Sequence, residues 1–242
     1  MFWQLEQSKA TFLFHRWHGN LDLGAPEQGL QITSPCDSNA SNILAVKFPQ
    51  PRQPFHQDCY TRLGDVIVVY PQRESRKFNL QLDYRLLESS DTSILIELWI
   101  SVQTYLLDSH PAVSVRCSFD LPNLSAYRDD SRGALIVHDK AYLDQLSASS
   151  KSVKDIALVT GPLAEGGMHA AWFNHPRDQS DSAWSIASEG TSFEAKLFGH
   201  FMEKGVIRRG RMRCLISKQP ISPIELQAAY ENFVSSPLPL TA

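Results

Sequence analysis

Residues 78–86 read Phe-Asn-Leu-Gln-Leu-Asp-Tyr-Arg-Leu, and residues 94–106 read Ile-Leu-Ile-Glu-Leu-Trp-Ile-Ser-Val-Gln-Thr-Tyr-Leu. In the first stretch Phe78, Leu80, Leu82, Tyr84 and Leu86 point one way, and Asn79, Gln81, Asp83 and Arg85 point the other. Successive side chains of an extended chain leave on opposite sides, so this period of two predicts a strand with one buried and one wet face. In the second stretch Ile94, Ile96, Leu98, Ile100, Val102 and Leu106 form the apolar row. Its other face, Leu95, Glu97, Trp99, Ser101, Gln103 and Tyr105, mixes aromatic with polar groups. A strand of that length, at ~3.3 Å per residue, spans roughly 40 Å, enough for a large sandwich.

The same alternation runs through most of the chain. Val113, Val115, Cys117 and Phe119 oppose Ser114, Arg116 and Ser118, and Asp108-Ser-His-Pro111 reads as the turn joining this row to the preceding one in a hairpin. Shorter strands are predicted at 11–17, 29–33, 43–48, 65–70, 133–138, 155–160, 168–174 and 183–188. Beyond Gly205, the residues Val206, Arg208, Gly210, Met212, Cys214 and Ile216 alternate against Ile207, Arg209, Arg211, Arg213 and Leu215. Many strands with Pro- and Gly-marked turns, and no βαβ units, predict an all-β fold: a large antiparallel β-sandwich. One amphipathic C-terminal helix is expected at about 222–234, where Ser222-Pro223-Ile224-Glu225 forms a capping box and Leu226, Ala229, Tyr230 and Phe233 share a face. A shorter helix is expected from Lys140 to Leu146. Thr191–Lys204 fits a helix or a strand leading into a Glu203-Lys204-Gly205 turn, and the strand is the reading taken.

The 242 residues carry 23 Lys+Arg against 26 Asp+Glu, a formal net charge of −3, with 43% hydrophobic and 10% aromatic residues. That is the make-up of a folded, water-soluble chain rather than a disordered one. It lacks the basic excess of a nucleic-acid coat protein, so no nucleic-acid partner is expected. No apolar run approaches the ~18 residues of a membrane span, and no membrane partner is expected. The opening Met-Phe-Trp-Gln-Leu-Glu has neither the basic nor the apolar region of a secretion signal, which predicts a cytoplasmic protein. The loops at Pro49–Pro54 and Ser147–Ser152 separate no halves of different composition, so residues 1–242 are read as one domain. Cys36, Cys59, Cys117 and Cys214 include no C-x-x-C pair, which removes the usual zinc and dithiol patterns. Cys117 and Cys214 lie on apolar faces and are expected to be buried thiols.

Chemistry-bearing residues form a few groups. Arg209, Arg211 and Arg213 share one strand face at about 7 Å intervals, twice the rise per residue. Such a row either holds phosphate, carboxylate or an acidic polysaccharide through bidentate hydrogen bonds, or pairs across strands with acids such as Glu203 or Glu97. His169 and His175, with Asp178 and Asp181, form the densest set of acid–base groups. No third metal ligand can be placed there, so no metal is expected. His15 and His18 are three apart on a predicted strand and face opposite ways, with Thr11, Leu13, His15 and Trp17 on one face. Gly161–Gly167 lacks the lysine of a phosphate loop, and Asp129–Gly133 reads as a tight turn without the downstream ligands of a calcium loop. Nucleophile-elbow, P-loop and dinucleotide motifs are missing, and no cofactor is expected.

The stretch Leu197-Phe-Gly-His-Phe-Met-Glu-Lys-Gly-Val-Ile-Arg-Arg-Gly-Arg211 resembles the closing β-hairpin of galactose-mutarotase-like supersandwich proteins. The resemblance implies long antiparallel strands in a supersandwich and binding of hexoses or polysaccharides. In the epimerases of that family a histidine–glutamate pair does the acid–base work, and no pair here matches it residue by residue. The chain is also similar to bacterial proteins of unknown activity.

Three functional readings follow. In the first, a concave sheet face binds carbohydrate, with Trp99 and Tyr105 stacking on sugar rings and Glu97, Gln103, His169 and Arg211 supplying polar contacts. In the second, an epimerase or lyase uses His169 or His175 as base and Glu203 as acid. The third is a non-catalytic module that docks a protein partner on a sheet face or the C-terminal helix. Oligomeric state is not encoded in these patterns.

Overall fold

The structure, a computed structural model, describes residues 3–34, 41–49, 58–74, 76–120, 123–130, 132–138, 156–164, 167–176, 182–186 and 192–236. In chain order its strands begin with β1 (Trp3–Glu6), β2 (Lys9–Phe14), β3 (Trp17–Asp22), β4 (Leu30–Thr33), β5 (Ser41–Ile43) and β6 (Ala45–Lys47). There follow β7 (Asp58–Arg62), β8 (Asp65–Tyr70), β9 (Asn79–Ser89), β10 (Ser93–Gln103), β11 (Ala112–Ser118) and β12 (Ser125–Asp129). The last are β13 (Leu135–Val137), β14 (Leu158–Pro162), β15 (His169–Asn174), β16 (Ser182–Ile186), β17 (Ser192–Phe198) and β18 (Ile207–Ser217), before helix α1 (Pro223–Ser235). Sequence-neighbour hairpins build a five-stranded sheet in the order β1-β2-β3-β4-β5. A nine-stranded sheet runs β13-β12-β14-β15-β18-β10-β9-β8-β7, and a four-stranded sheet runs β16-β17-β11-β6.

Strand β10 lies near the middle of the large sheet because both of its edges are taken, by β9 on one side and β18 on the other. Its apolar row, Ile94, Ile96, Leu98, Ile100 and Val102, is buried beside Met212, Cys214 and Ile216 of β18 and Leu80, Leu82 and Tyr84 of β9. One continuous hydrophobic cluster joins these residues to Val115, Cys117, Phe193 and Ala195 of the four-stranded sheet and to Trp3, Phe12, Trp17 and Ile32 of the five-stranded sheet. The molecule is therefore an all-β sandwich, with the nine-stranded sheet as one layer. The expected thiols Cys117 and Cys214 are buried. They hydrogen-bond to each other across the layers, which with burial pushes the Cys214 thiol well above its ordinary range. Two further bonds tie the five-stranded sheet down: Trp17 Nε1 donates to Ser90 O at 2.8 Å, and Tyr70 Oη donates to Leu23 O at 2.6 Å.

Helix α1 starts as expected. Ser222 Oγ accepts from Glu225 N, and the Glu225 carboxylate accepts from Ser222 N, a reciprocal cap contributing about 1 kcal/mol. Leu226, Tyr230 and Phe233 bury themselves on the outer face of the nine-stranded sheet against Ala157, Leu158, Ala171 and Phe173. Each such large side chain contributes roughly 1.5–3 kcal/mol by leaving water. Tyr230 Oη donates to Asp129 Oδ2 at 2.8 Å, and Gln227 Nε2 donates to Gly133 O at 2.8 Å, so the helix is also latched to the β12–β13 turn. That turn, read at Asp129–Gly133, is held by Asp129 Oδ1 accepting from Gly133 N. Among the described residues no helix is long and apolar enough to cross a membrane.

Several expectations need correction. The rows 94–106 and 113–119 are not a hairpin: with both edges of β10 occupied, the chain leaves the sheet after Gln103 and enters β11 in the other layer, between β17 and β6. Tyr105 therefore lies beyond the strand and off its face. The predicted strand 11–17 is broken at His15, whose φ of 54° turns the chain, so β2 ends at Phe14 and Trp17 opens β3. The supposed common face dissolves accordingly, with Leu13 61% exposed and Trp17 fully buried. The predicted strand 43–48 splits into β5 and β6 at Leu44, φ 50°. Of the stretch 191–204, the described residues take the strand alternative as β17, which ends where Phe198 and Gly199 adopt φ of 63° and 86°. The Lys140–Leu146 helix, the 147–152 loop, Cys36, Asp178 and Asp181 lie outside the described residues.

The five-stranded sheet contains a tight fit that can be tested. Gly19 stands directly opposite Phe12, whose ring lies where a Cβ would be: the nearest ring atom is 2.0 Å from that position. Phe12 is itself pinned edge-on against Trp3 at 4.9 Å between centroids. Gly19→Ala should lower unfolding stability by about 1–3 kcal/mol through overpacking, read as a shift in urea midpoint with unchanged slope.

Candidate functional site

The outer face of the nine-stranded sheet collects the polar residues of the central strands. The register puts Asp65, Arg85, Glu97 and Arg213 in one row across β8, β9, β10 and β18, a line of alternating charge. Glu97 is buried at its centre, and both of its oxygens are engaged. Oε2 accepts from Arg213 Nε at 2.8 Å, with Arg213 Nη2 at 2.7 Å. Oε1 accepts from the Trp99 indole N–H at 2.5 Å and lies 3.8 Å from Arg85 Nη1. Arg85 in turn donates to Asp65 at 3.0 Å and stacks over the Trp99 ring at 4.3 Å. The remaining Arg213 nitrogen, Nη1, donates to Asn232 Oδ1 of α1 at 2.8 Å, while Phe233 sits 4.6 Å beneath the guanidinium.

One pair of residues along, the row is Ile67, Asp83, Trp99 and Arg211. Asp83 is only 5% exposed, and its Oδ1 has no hydrogen-bond partner among the described residues. Burial, with a smaller contribution from the Asp65 charge, pushes its carboxyl up to about 7. Arg211 is 3% exposed under the C-terminal turn of α1, with Nη1 at 3.5 Å from Ser236 O.

Past Glu97 in the other direction, the face opens into a pocket of about 330 Å³ between the β9–β10 hairpin and α1. Leu95, Leu215, Ala228 and Ala229 supply its apolar surface; Glu88, Ser89, Ser90, Ser93, Asn232 and Arg213 supply its polar groups. Ser89 is bonded to the His15 ring from the β2–β3 turn. Ser90 Oγ lies 3.0 Å from Ser93 Oγ and 3.2 Å from Thr92 Oγ1, so the hairpin end is preorganised.

Of the residues singled out from sequence, Glu97 and Trp99 come together through a hydrogen bond, and Arg211 stands directly opposite Trp99 on β18. Arg211 and Glu97 were expected to face a ligand and are instead buried, because α1 and the neighbouring arginines cover them. The second reading of the arginine row, pairing with Glu97, is the one realised for Arg213. Gln103 is at the far end of β10, opposite Ile207, and Tyr105 is 58% exposed in the loop beyond. His169 and His175 do not converge: they bracket β15 at positions six apart, roughly 20 Å at ~3.3 Å per residue. His169 is part-buried opposite Ser217, and desolvation lowers its pKa; His175 is buried edge-on to Phe233. Glu203 is exposed in the turn before β18, whose first residue, Ile207, lies ten positions along the strand from the Ser217 opposite His169. Among the described residues no group of three or more His, Cys, Asp or Glu side chains can hold a metal ion. Asp83, Arg85, Asn232 and the serines were missed. The only available signal was Asp83 alternating onto the same face as Arg85, which pattern alone reads as solvent-facing.

No family model and no curated protein sequence matches the chain. Among solved structures it is similar to an α-N-acetylgalactosaminidase from Bifidobacterium bifidum in complex with GalNAc, at 10% identity and TM-score 0.46, over 97% of this chain and 39% of that one. It is also similar to a heparinase III with methylated lysines, at 9% identity and TM-score 0.40, over 90% of this chain and 34% of that one. A second heparinase III structure gives 8% identity and TM-score 0.34, over 89% of this chain and 34% of that one. This chain thus spans little more than a third of each neighbour's length.

Two outcomes are expected. Glu97→Gln should cost about 3–5 kcal/mol in urea unfolding, since it strips the counter-charge from a buried arginine, whereas Glu97→Leu combined with Arg213→Met should recover much of the loss. For Asp83 the folded carboxyl titrates near 7 and the unfolded one near 3.9, so the folded state binds the extra proton in between. Stability should therefore fall as pH rises from about 4 to 7, by on the order of a few kcal/mol, and Asp83→Asn should flatten that slope.

Proposed function

We propose that this protein binds a saccharide on the outer face of its nine-stranded sheet, seated in the pocket between the β9–β10 hairpin and α1. The observation that carries the reading is the pocket's division of labour. An aliphatic surface of Leu95, Leu215, Ala228 and Ala229 is edged by three serines, a carboxylate, an amide and an arginine. A pyranose has the matching character, with C–H groups to lay on an apolar surface and hydroxyls to donate and accept around its rim. The volume is at the lower end of the ~300–1,000 Å³ of small-molecule sites, which suits one or two rings rather than a long chain.

The network behind the pocket fixes it. Arg213 lines the pocket while holding Glu97 and Asn232, so the polar edge is rigid before any ligand arrives, which lowers the ordering cost of binding. Trp99 contributes indirectly by bonding Glu97, its ring already carrying the Arg85 guanidinium. The reading retains the sheet face expected from the sequence and moves the contact point towards the hairpin end. An acid–base enzyme built on His169, His175 and Glu203 lacks the convergence that proton transfer requires.

Titration of a panel of neutral mono- and disaccharides, followed by backbone amide shifts, tests this. Expected shifts cluster at Glu88–Ser93 and Ala228–Asn232. Ala228→Trp, at an exposed helix position, should abolish them by filling the pocket without altering the unfolding midpoint by more than about 0.5 kcal/mol. Shifts located elsewhere, or saturable sugar binding untouched by Ala228→Trp, would exclude the pocket.

A further inference from the structure

The outer face of the four-stranded sheet carries a groove of about 560 Å³, away from the pocket just described. Its geometry follows from register. Ser114 of β11 pairs directly with Lys47 of β6 on one side and Lys196 of β17 on the other, so the three share one face in a row. Directly paired antiparallel residues have Cα atoms about 4.5–5.5 Å apart, which sets the two lysines about 10 Å apart with Ser114 midway. Both lysines are exposed. One residue pair along, Arg116 and Glu194 neutralise each other at 3.4 Å. One pair along in the other direction Ala112 stands opposite Phe198, whose ring turns inward to within 3.6 Å of where a Gly210 Cβ would lie, so the exposed apolar surface there is Ala112, Gly199 and Pro49 over the buried Phe48.

We infer that this groove binds an anionic amphiphile, specifically a medium-chain carboxylate, with the carboxylate over Ser114 between Lys47 and Lys196 and the hydrocarbon body along Ala112, Gly199 and Pro49. Charge complementarity selects the head: two like charges flank one site, and the acid among the described lining residues, Glu194, is committed to Arg116. The lining selects the body. Apart from Ser114 and Glu194 the non-lysine residues are aliphatic or aromatic, without the amides and hydroxyls that ring hydroxyls need, so this site is distinct in chemistry from the saccharide pocket. The Arg116–Glu194 pair closes one end to an apolar tail, which fixes the ligand's direction.

Calorimetric titration of the full chain with decanoate, kept below its micelle concentration, tests the assignment. The expected result is one saturable site, weakened by raising ionic strength. Affinity should fall about tenfold or more in the Lys47→Met, Lys196→Met double variant, in line with the loss of two charge-assisted contacts. Decanol and acetate, lacking head charge and tail respectively, should bind at least tenfold more weakly than decanoate. Because both lysines are exposed, the double variant keeps the fold, which the unfolding midpoint verifies. Absence of saturable decanoate binding, decanol binding as tight as decanoate, or undiminished affinity in the double variant each overturns the assignment. So would glucuronate competing with decanoate on equal terms, which would make the site one for an acidic sugar.

Discussion

A single carboxylate, Glu97, organises the large sheet. It lies buried between guanidinium groups from β9 and β18, with the Trp99 indole donating to one oxygen and Arg213 to the other, so each oxygen has a donor. An ion this deep is tolerable only when paired in this way, because desolvation alone would cost several kcal/mol. The requirement propagates outward. Arg213 must point up from β18, which presents its last nitrogen to Asn232 and its flat face to Phe233, and this positions α1. The location of α1 then defines one wall of the pocket. Fold, helix docking and binding surface thus share one electrostatic origin.

Much of this was legible in the chain itself. Alternation at 78–86, 94–103 and 206–216 identified the strands and their inward faces, because burial of one face forces a period of two whichever strands lie alongside. The capping box at Ser222 and Glu225 located the helix to within a residue, since the reciprocal bonds depend only on local spacing. Partner choice was not legible. Residues 94–103 and 113–119 are close in sequence and suit a hairpin, yet β10 prefers β18, whose Arg213 is 116 positions from Glu97. Alternation assigns a residue to a face without saying what covers that face. That is why Arg211 and Asp83 read as wet and are buried, and why Tyr105, continuing the alternation past the strand end, read as part of a face it never joins.

The two layers of the sandwich present opposite chemistries to solvent. On the large sheet, acids, arginines and serines are bonded among themselves and leave a small polar-edged recess. On the four-stranded sheet, the ionic pair Arg116–Glu194 and the lysine row give way to an uncharged apolar stretch. Both surfaces are set by strand register: a shift of one residue in β17 or β18 would turn each set of charges inward, where the shared core could not accept them.

The position of β18 between β15 and β10 also governs how the molecule comes into being on the ribosome. The five-stranded sheet is made of consecutive hairpins and closes as its residues emerge, but the nine-stranded sheet keeps a gap along β10 until a strand more than a hundred residues later is synthesised. During that interval β10 offers a bare, eleven-residue hydrogen-bonding edge backed by isoleucines and leucines. Such an edge invites pairing with neighbouring nascent chains. Yield of correctly assembled protein is then a race between translation of residues 104–217 and unwanted association, so slow codons placed before residue 207 work against it and holding chaperones work for it.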